Sequence, residues 1–161
     1  MPLAVAGLVG SGSTALRSVV LYMIVYAATN LGIFAVILAV SNKTRSGDVS
    51  SFGGLFSYAP ALGVLMTLFL ASLAGIPPLG GWIAKFVAFQ SLIQSQSAWG
   101  YALAIIGAVN SVVAFGYYGN VMREIWMRPV PDGDVTPITI PGPLRLALVI
   151  TAGATVVFGV L

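Results

Sequence analysis

The chain has 161 residues, of which 58% are hydrophobic and 7% charged, and its mean hydropathy is +1.01. A soluble domain typically carries about 25% charged residues and has too little interior to hide this much apolar surface, so composition assigns an integral membrane protein. A net charge of +3 with no basic run argues against nucleic acid as a partner, and the absence of cysteine and histidine excludes disulfides, thiolate chemistry and His-ligated haem or zinc within the chain.

Residues 1–10 are apolar but supply only about half of the ~20 residues a crossing helix needs, and they lack a basic leader and a cleavage site. They read as a partial span whose start lies upstream. Residues 11–18 read as a short loop carrying Arg17. A full span follows at about 18–40, with Tyr22, Tyr26 and Asn30 at i, i+4 and i+8 on one face. Ala28 and Gly32 form a small-xxx-small pair that lets another helix approach closely. Residues 41–57, polar and glycine-bearing with Lys43, Arg45 and Asp48, read as an exposed loop.

Pro60 suits the first turn of a new helix, where its missing N–H costs nothing. The apolar segment from Pro60 to Ala74 and its continuation from Gly81 to Ser95 each measure about 22 Å, short of the ~30 Å hydrocarbon core. Between them lies LAGIPPLGGWIAKF, residues 73–86. Pro77 and Pro78 cannot donate backbone hydrogen bonds, and Gly80 and Gly81 free the chain to turn, so a helix arriving at Ala74 stops and another restarts near Gly81. The expectation is one broken span over residues 60–95.

Further spans are expected at about 100–121 and 144–161, the last stopping without a polar flank as though truncated. Asn110 and Tyr117 fall on one side of the first of these, with Ser111 and Tyr118 beside them. Arg123 and Glu124 are expected to open a loop that runs through MRPVPDGDVTPITIPGP, a proline-rich connector with no helix propensity. The whole chain, 1–161, reads as a single transmembrane domain.

If the broken segment crosses once, Lys43, Arg45, Arg123, Arg128 and Arg145 share one face of the membrane and Arg17 lies on the other. That asymmetry is a positive-inside bias and makes the five-residue face cytoplasmic. If the halves crossed separately, the basic residues would divide evenly, so the single discontinuous span is favoured.

Lys85 is the only charged residue between Asp48 and Arg123. A lysine near the bilayer centre costs on the order of 2.5–3.5 kcal/mol on insertion scales, and an ionisable residue there is a functional-site hypothesis by default. Its stem reaches about 6 Å, while some ten further span residues separate it from Ser95, so the headgroups lie out of reach of a snorkelling amine. Desolvation brings a lysine amine toward exchange near neutral pH, the property a proton carrier requires, and polar backbone freed at a break can hold water beside it. Two uses stay open for Tyr22, Tyr26, Asn30, Asn110 and Tyr117: lining a hydrated proton path, or interhelical hydrogen bonding.

These residues also carry a resemblance. Gly54-Leu55, Pro60, Met66, the AGIPP of residues 74–78, Trp82 and the pair Lys85-Phe86 follow the pattern of the antiporter-like subunit N, or subunit 2, of respiratory NADH-quinone oxidoreductase (complex I). The stretches LYMIVYAATNLGIFAVI and SVVAFGYYGNVMREIW fit as well, so the resemblance covers nearly the whole chain. Trp82, Ala84 and Phe56 to Tyr58 depart from the commoner family residues, which touches packing and the cytoplasmic rim.

The resemblance implies an all-α polytopic helix bundle with one discontinuous helix, half of an inverted-repeat antiporter-like fold. Family members have about fourteen helices, with two discontinuous ones related by the repeat, and this chain would be a C-terminal fragment. The resemblance further implies a bacterial inner-membrane location and a proton-translocating role in which Lys85 relays protons toward the non-cytoplasmic side. No cofactor is expected in this chain; NADH, flavin, iron–sulfur clusters and quinone would belong to partner subunits. A related cation/proton antiporter or membrane-bound hydrogenase complex uses similar subunits, and a non-transporting scaffold is the reading from a different class.

Overall fold

The computed structural model describes residues 12–160, all helix or irregular backbone with no strand among them. The partial span expected at 1–10 lies outside those residues. Helix α1 is Gly12–Thr44, α2 Leu55–Tyr58, α3 Pro60–Ala74, α4 Gly80–Gln94, α5 Ala98–Met127 and α6 Gly142–Val160. Three of them, α1, α5 and α6, are long and apolar enough to cross a membrane.

Three expected boundaries are corrected. The loop expected at 11–18 is helix from Gly12 onward, because Ser, Thr, Ala, Leu and Arg there offer no helix breaker. The exposed loop expected at 41–57 is largely ordered and partly buried. α1 continues to Thr44, Val49–Phe52 makes a 3-10 turn, and Ser51, Phe52, Leu55 and Tyr58 are buried. Glycine and serine set the polar look of that stretch, but its apolar residues recur every third position and pack into the main core. Finally, Arg123 and Glu124 do not open a loop. They sit inside α5, where Arg128 Nε lies 3.6 Å from Glu124 Oε1, an i,i+4 pair at the helix end.

α3 and α4 have 15 residues each and lie one after the other along the same neighbours. On α1, Ile33 to Val40 join Leu62, Met66, Phe69 and Leu70 of α3 in one core cluster, whereas Tyr22 packs with Ala88 and Leu92 of α4. α5 repeats the arrangement in reverse, with Val121 and Ile125 in the α3 cluster and Leu103 and Ala104 against α4. An unbroken helix of 33 residues, about 50 Å long, thus runs beside two half-helices stacked end to end. The pair forms one discontinuous span.

Close packing fixes this stack. A Cβ on Gly32 would run into the ring of Phe69, which is fully buried, so α1 admits the α3 aromatic only because glycine stands there. α6 reaches the break from another side: Gly159 packs on Pro78 and Leu79, and Gly80 lies against the Thr155 carbonyl and Val25.

At the far end of α3 the connector, residues 128–141, folds back over the bundle. Lys43 Nζ donates to the carbonyls of Asp134 at 2.9 Å and Thr136 at 2.6 Å, lies 3.6 Å from Asp134 Oδ2, and sits 4.1 Å above the Tyr58 ring. Lys43 and Arg128 therefore lie at the end of the bundle opposite the start of α1, which carries Arg17.

Candidate functional site

α3 ends at Ala74 because Gly75 adopts φ +88°, a left-handed conformation that glycine reaches without penalty, and its N–H closes on the carbonyls of Ala71 and Ser72. Ile76 N–H also returns to Ala71 O, and then Pro77 and Pro78, joined by a cis peptide, have no donor to offer. The backbone resumes helical bonding with Leu79 N–H to Ile76 O and Trp82 N–H to Leu79 O. Ala74 is thus left with a carbonyl that no later turn of helix claims.

That carbonyl accepts from Lys85. Nζ lies 3.1 Å from Ala74 O, and the side chain folds back from α4 over Gly75, where an added Cβ would meet Cδ at 3.1 Å. Lys85 sits on the second turn of α4, yet its ammonium returns to the level of the break instead of extending along the helix toward the membrane surface. A cation at the C-terminal end of a helix is favoured by the partial negative charge there, which offsets part of the cost of bringing it inside. A second bond crosses the gap in the opposite sense: Gly81 N–H donates to Ser72 Oγ at 3.1 Å.

Two cavities flank this constellation. The smaller, about 20 Å³ and large enough for one water molecule, is lined by Lys85 with Tyr22, Tyr26, Thr29, Ser72 and Leu73 among its walls. The larger, about 320 Å³, extends from Tyr26, Asn30 and Leu73 past Tyr117 and Tyr118 to Val49 and Phe52 at the Lys43 end. Tyr26 and Leu73 line both.

The expected polar residues divide accordingly. Tyr22 and Tyr26 stack at 5.9 Å on the wall of the lysine cavity, and Asn30 Nδ2 donates to the Tyr26 carbonyl at 2.7 Å one turn further along. Tyr117 lies edge-on to Tyr118, their ring centroids 6.4 Å apart, in the larger cavity. Asn110 is exposed on α5 and lines neither. Pro77, Pro78, Gly80 and Gly81 all fall in the interruption or the first turn after it.

Sequence reading missed Ser72, Thr29 and Leu73. Ser72 and Thr29 are fully buried, and Thr29 donates to Val25 O at 2.8 Å while lying 3.4 Å from Thr155 Oγ1 on α6. For Ser72 the available signal was a hydroxyl inside an otherwise apolar run next to a helix break, where a side chain can bond backbone groups left free.

A membrane bundle that interrupts one crossing helix at mid-length and folds a lysine onto the interruption belongs to the class of polytopic proteins built on a discontinuous helix. The family described as NADH:quinone oxidoreductase/Mrp antiporter, TM, matches residues 1–112, and the chain belongs to that family. It is 36% identical over 144 residues to the NADH-quinone oxidoreductase subunit N of Dehalococcoides mccartyi, covering 89% of this chain and 29% of that protein. It is 34% identical over 154 residues to subunit N of Heliobacterium modesticaldum, covering 96% and 32%. Among solved structures it is similar to a chain of respiratory complex I from Thermus thermophilus with bound aureothin, with a TM-score of 0.75 and 25% identity over 98% of this chain and 34% of that one. The chain therefore spans about a third of the length of these relatives.

Proposed function

We propose that the chain is part of a proton-translocating subunit N of NADH-quinone oxidoreductase in a bacterial inner membrane, and that Lys85 relays protons toward the side away from Lys43. The observation that carries the reading is the bond from Lys85 Nζ to Ala74 O, which sets a titratable amine at the gap between two half-helices and on the wall of a cavity. A proton arriving through the larger cavity passes Asn30 and Tyr26, protonates neutral Lys85, and leaves along α4 as the amine releases the Ala74 carbonyl. The basic residues at the Lys43 end mark the cytoplasmic side under the positive-inside rule. Residues 1–161 act in this reading as one transmembrane domain beside other membrane subunits. The translocase contribution is mechanical and electrostatic, with NADH, flavin, iron–sulfur clusters and quinone held by partner subunits.

The relatives named above favour this assignment over the cation/proton antiporter that shares the family description. Replacing Lys85 with alanine in the assembled complex tests it. Proton translocation per NADH oxidised is expected to fall while the subunits still co-purify, and unchanged translocation would leave a scaffold role instead.

A further inference from the structure

We propose that Ser72 is a positioning residue for Lys85, capping the first turn of α4 from the opposite half of the broken helix and so fixing where the lysine amine can reach. The inference rests on the proton-relay reading.

A helix start leaves its first N–H groups without intrahelical partners, and a hydroxyl or carboxamide just before the helix ordinarily supplies one. α4 has no such residue: Leu79 is its N-cap and provides no side-chain acceptor. The acceptor comes instead from nine residues upstream, Ser72 Oγ at 3.1 Å from Gly81 N. Ser72 is completely buried, so losing its hydroxyl leaves the Gly81 N–H with no bulk solvent and only the single water that the adjacent cavity has room for. The approach also requires glycine at position 81, because a Cβ there would run into the Ser72 carbonyl.

The two bonds across the gap have different permanence. Lys85 to Ala74 is charge-assisted only while the amine is protonated and is an ordinary, weaker N–H···O bond when it is neutral, whereas Gly81 to Ser72 joins two groups that do not titrate. During a protonation cycle the first weakens and the second persists. Ser72 then keeps α4 in register with α3 while Lys85 lets go, so that the amine returns to the same carbonyl. Ser72 also lines the lysine cavity, which places its hydroxyl beside the group it positions.

The test compares Ser72→Ala, Ser72→Thr and Ser72→Val, each alone and with Lys85→Ala, in the assembled complex. Thr and Val add the same branch and differ in the hydroxyl, so crowding cancels between them. Ser72→Ala and Ser72→Val are expected to lower translocation per NADH about tenfold with co-purification intact. Ser72→Thr is expected to translocate well above Ser72→Val, and none of the three should lower the residual rate of Lys85→Ala further. Equal rates for Thr and Val, wild-type translocation by Ser72→Ala, or an additional loss in the Lys85→Ala background would overturn the assignment. Wild-type translocation by Lys85→Ala alone would instead overturn the relay reading on which it rests.

Discussion

Lys85 and Ala74 meet across an interruption of the chain. The amine on the second turn of one half-helix donates, at 3.1 Å, to the last carbonyl of the other. Lys85 does not snorkel, since a snorkelling stem runs outward along its helix to the headgroups and this one runs back to the break.

Tyr26 and Leu73 line both cavities and so border the space between them. Leu73→Trp fills it with an apolar ring. Translocation is expected to fall by at least about tenfold, equivalent to roughly 1.4 kcal/mol on the barrier, with assembly retained. Measuring proton uptake in vesicles carrying the variant complex checks this, and an unimpaired rate would count against the proposed route past Leu73.

Gly81→Ala places a methyl where the Ser72 carbonyl stands. Backbone must move, and overpacking of this kind costs about 1–3 kcal/mol. The variant is expected to denature at lower temperature in detergent than the parent, and an unchanged melting curve would mean that the half-helices are not held this closely.

Phe69 is fully buried with its ring on Gly32. Truncation to alanine removes the ring and leaves a void between α1 and α3, at a cost of about 3–5 kcal/mol. Thermal unfolding of the solubilised protein measures it. A loss below ~1 kcal/mol would indicate that α1 closes the void by sliding.

The connector is tied down by a pH-sensitive contact. The backbone N–H of Thr136, 2.9 Å from Asp134 Oδ1, holds the Asp134 carboxyl below the usual carboxylate range, with the Thr136 side chain and Lys43 adding to the effect. A carboxyl whose folded pKa is depressed contributes fully above its unfolded pKa and loses that contribution as pH falls through the lower folded value. Protease cutting within residues 128–141 is therefore expected to be slow at neutral pH and to speed up only in acid, and Asp134→Asn should cut faster at neutral pH. Equal rates for parent and variant would contradict the role of this contact.

The interruption was legible because prolines and glycines act through local backbone chemistry that tertiary packing cannot supply, and Lys85 because a lone charge in 74 residues of apolar sequence stands out. Helix ends were harder. Arg123 and Glu124 look like loop residues by charge, yet the polar rim of a bilayer accepts charged side chains on a helix that simply continues, as α5 does. Residues 41–57 misled in the other direction, since burial of Phe52, Leu55 and Tyr58 depends on a connector about eighty residues later in the chain. Asn110 and Tyr117 share a side of one helix in sequence, but only the lower part of that side faces a cavity. Ser72 offered only a hydroxyl in an apolar run as its signal, because the donor it accepts from lies nine residues ahead across a gap.

The unbroken α1 acts as a splint. Gly32 grips one fragment through Phe69 and Val25 holds the other at Gly80, so both pieces lie against one continuous rod. With α1 along one flank and Gly159 of α6 against Pro78 and Leu79, what remains uncovered at the join is the outer surface of the two prolines.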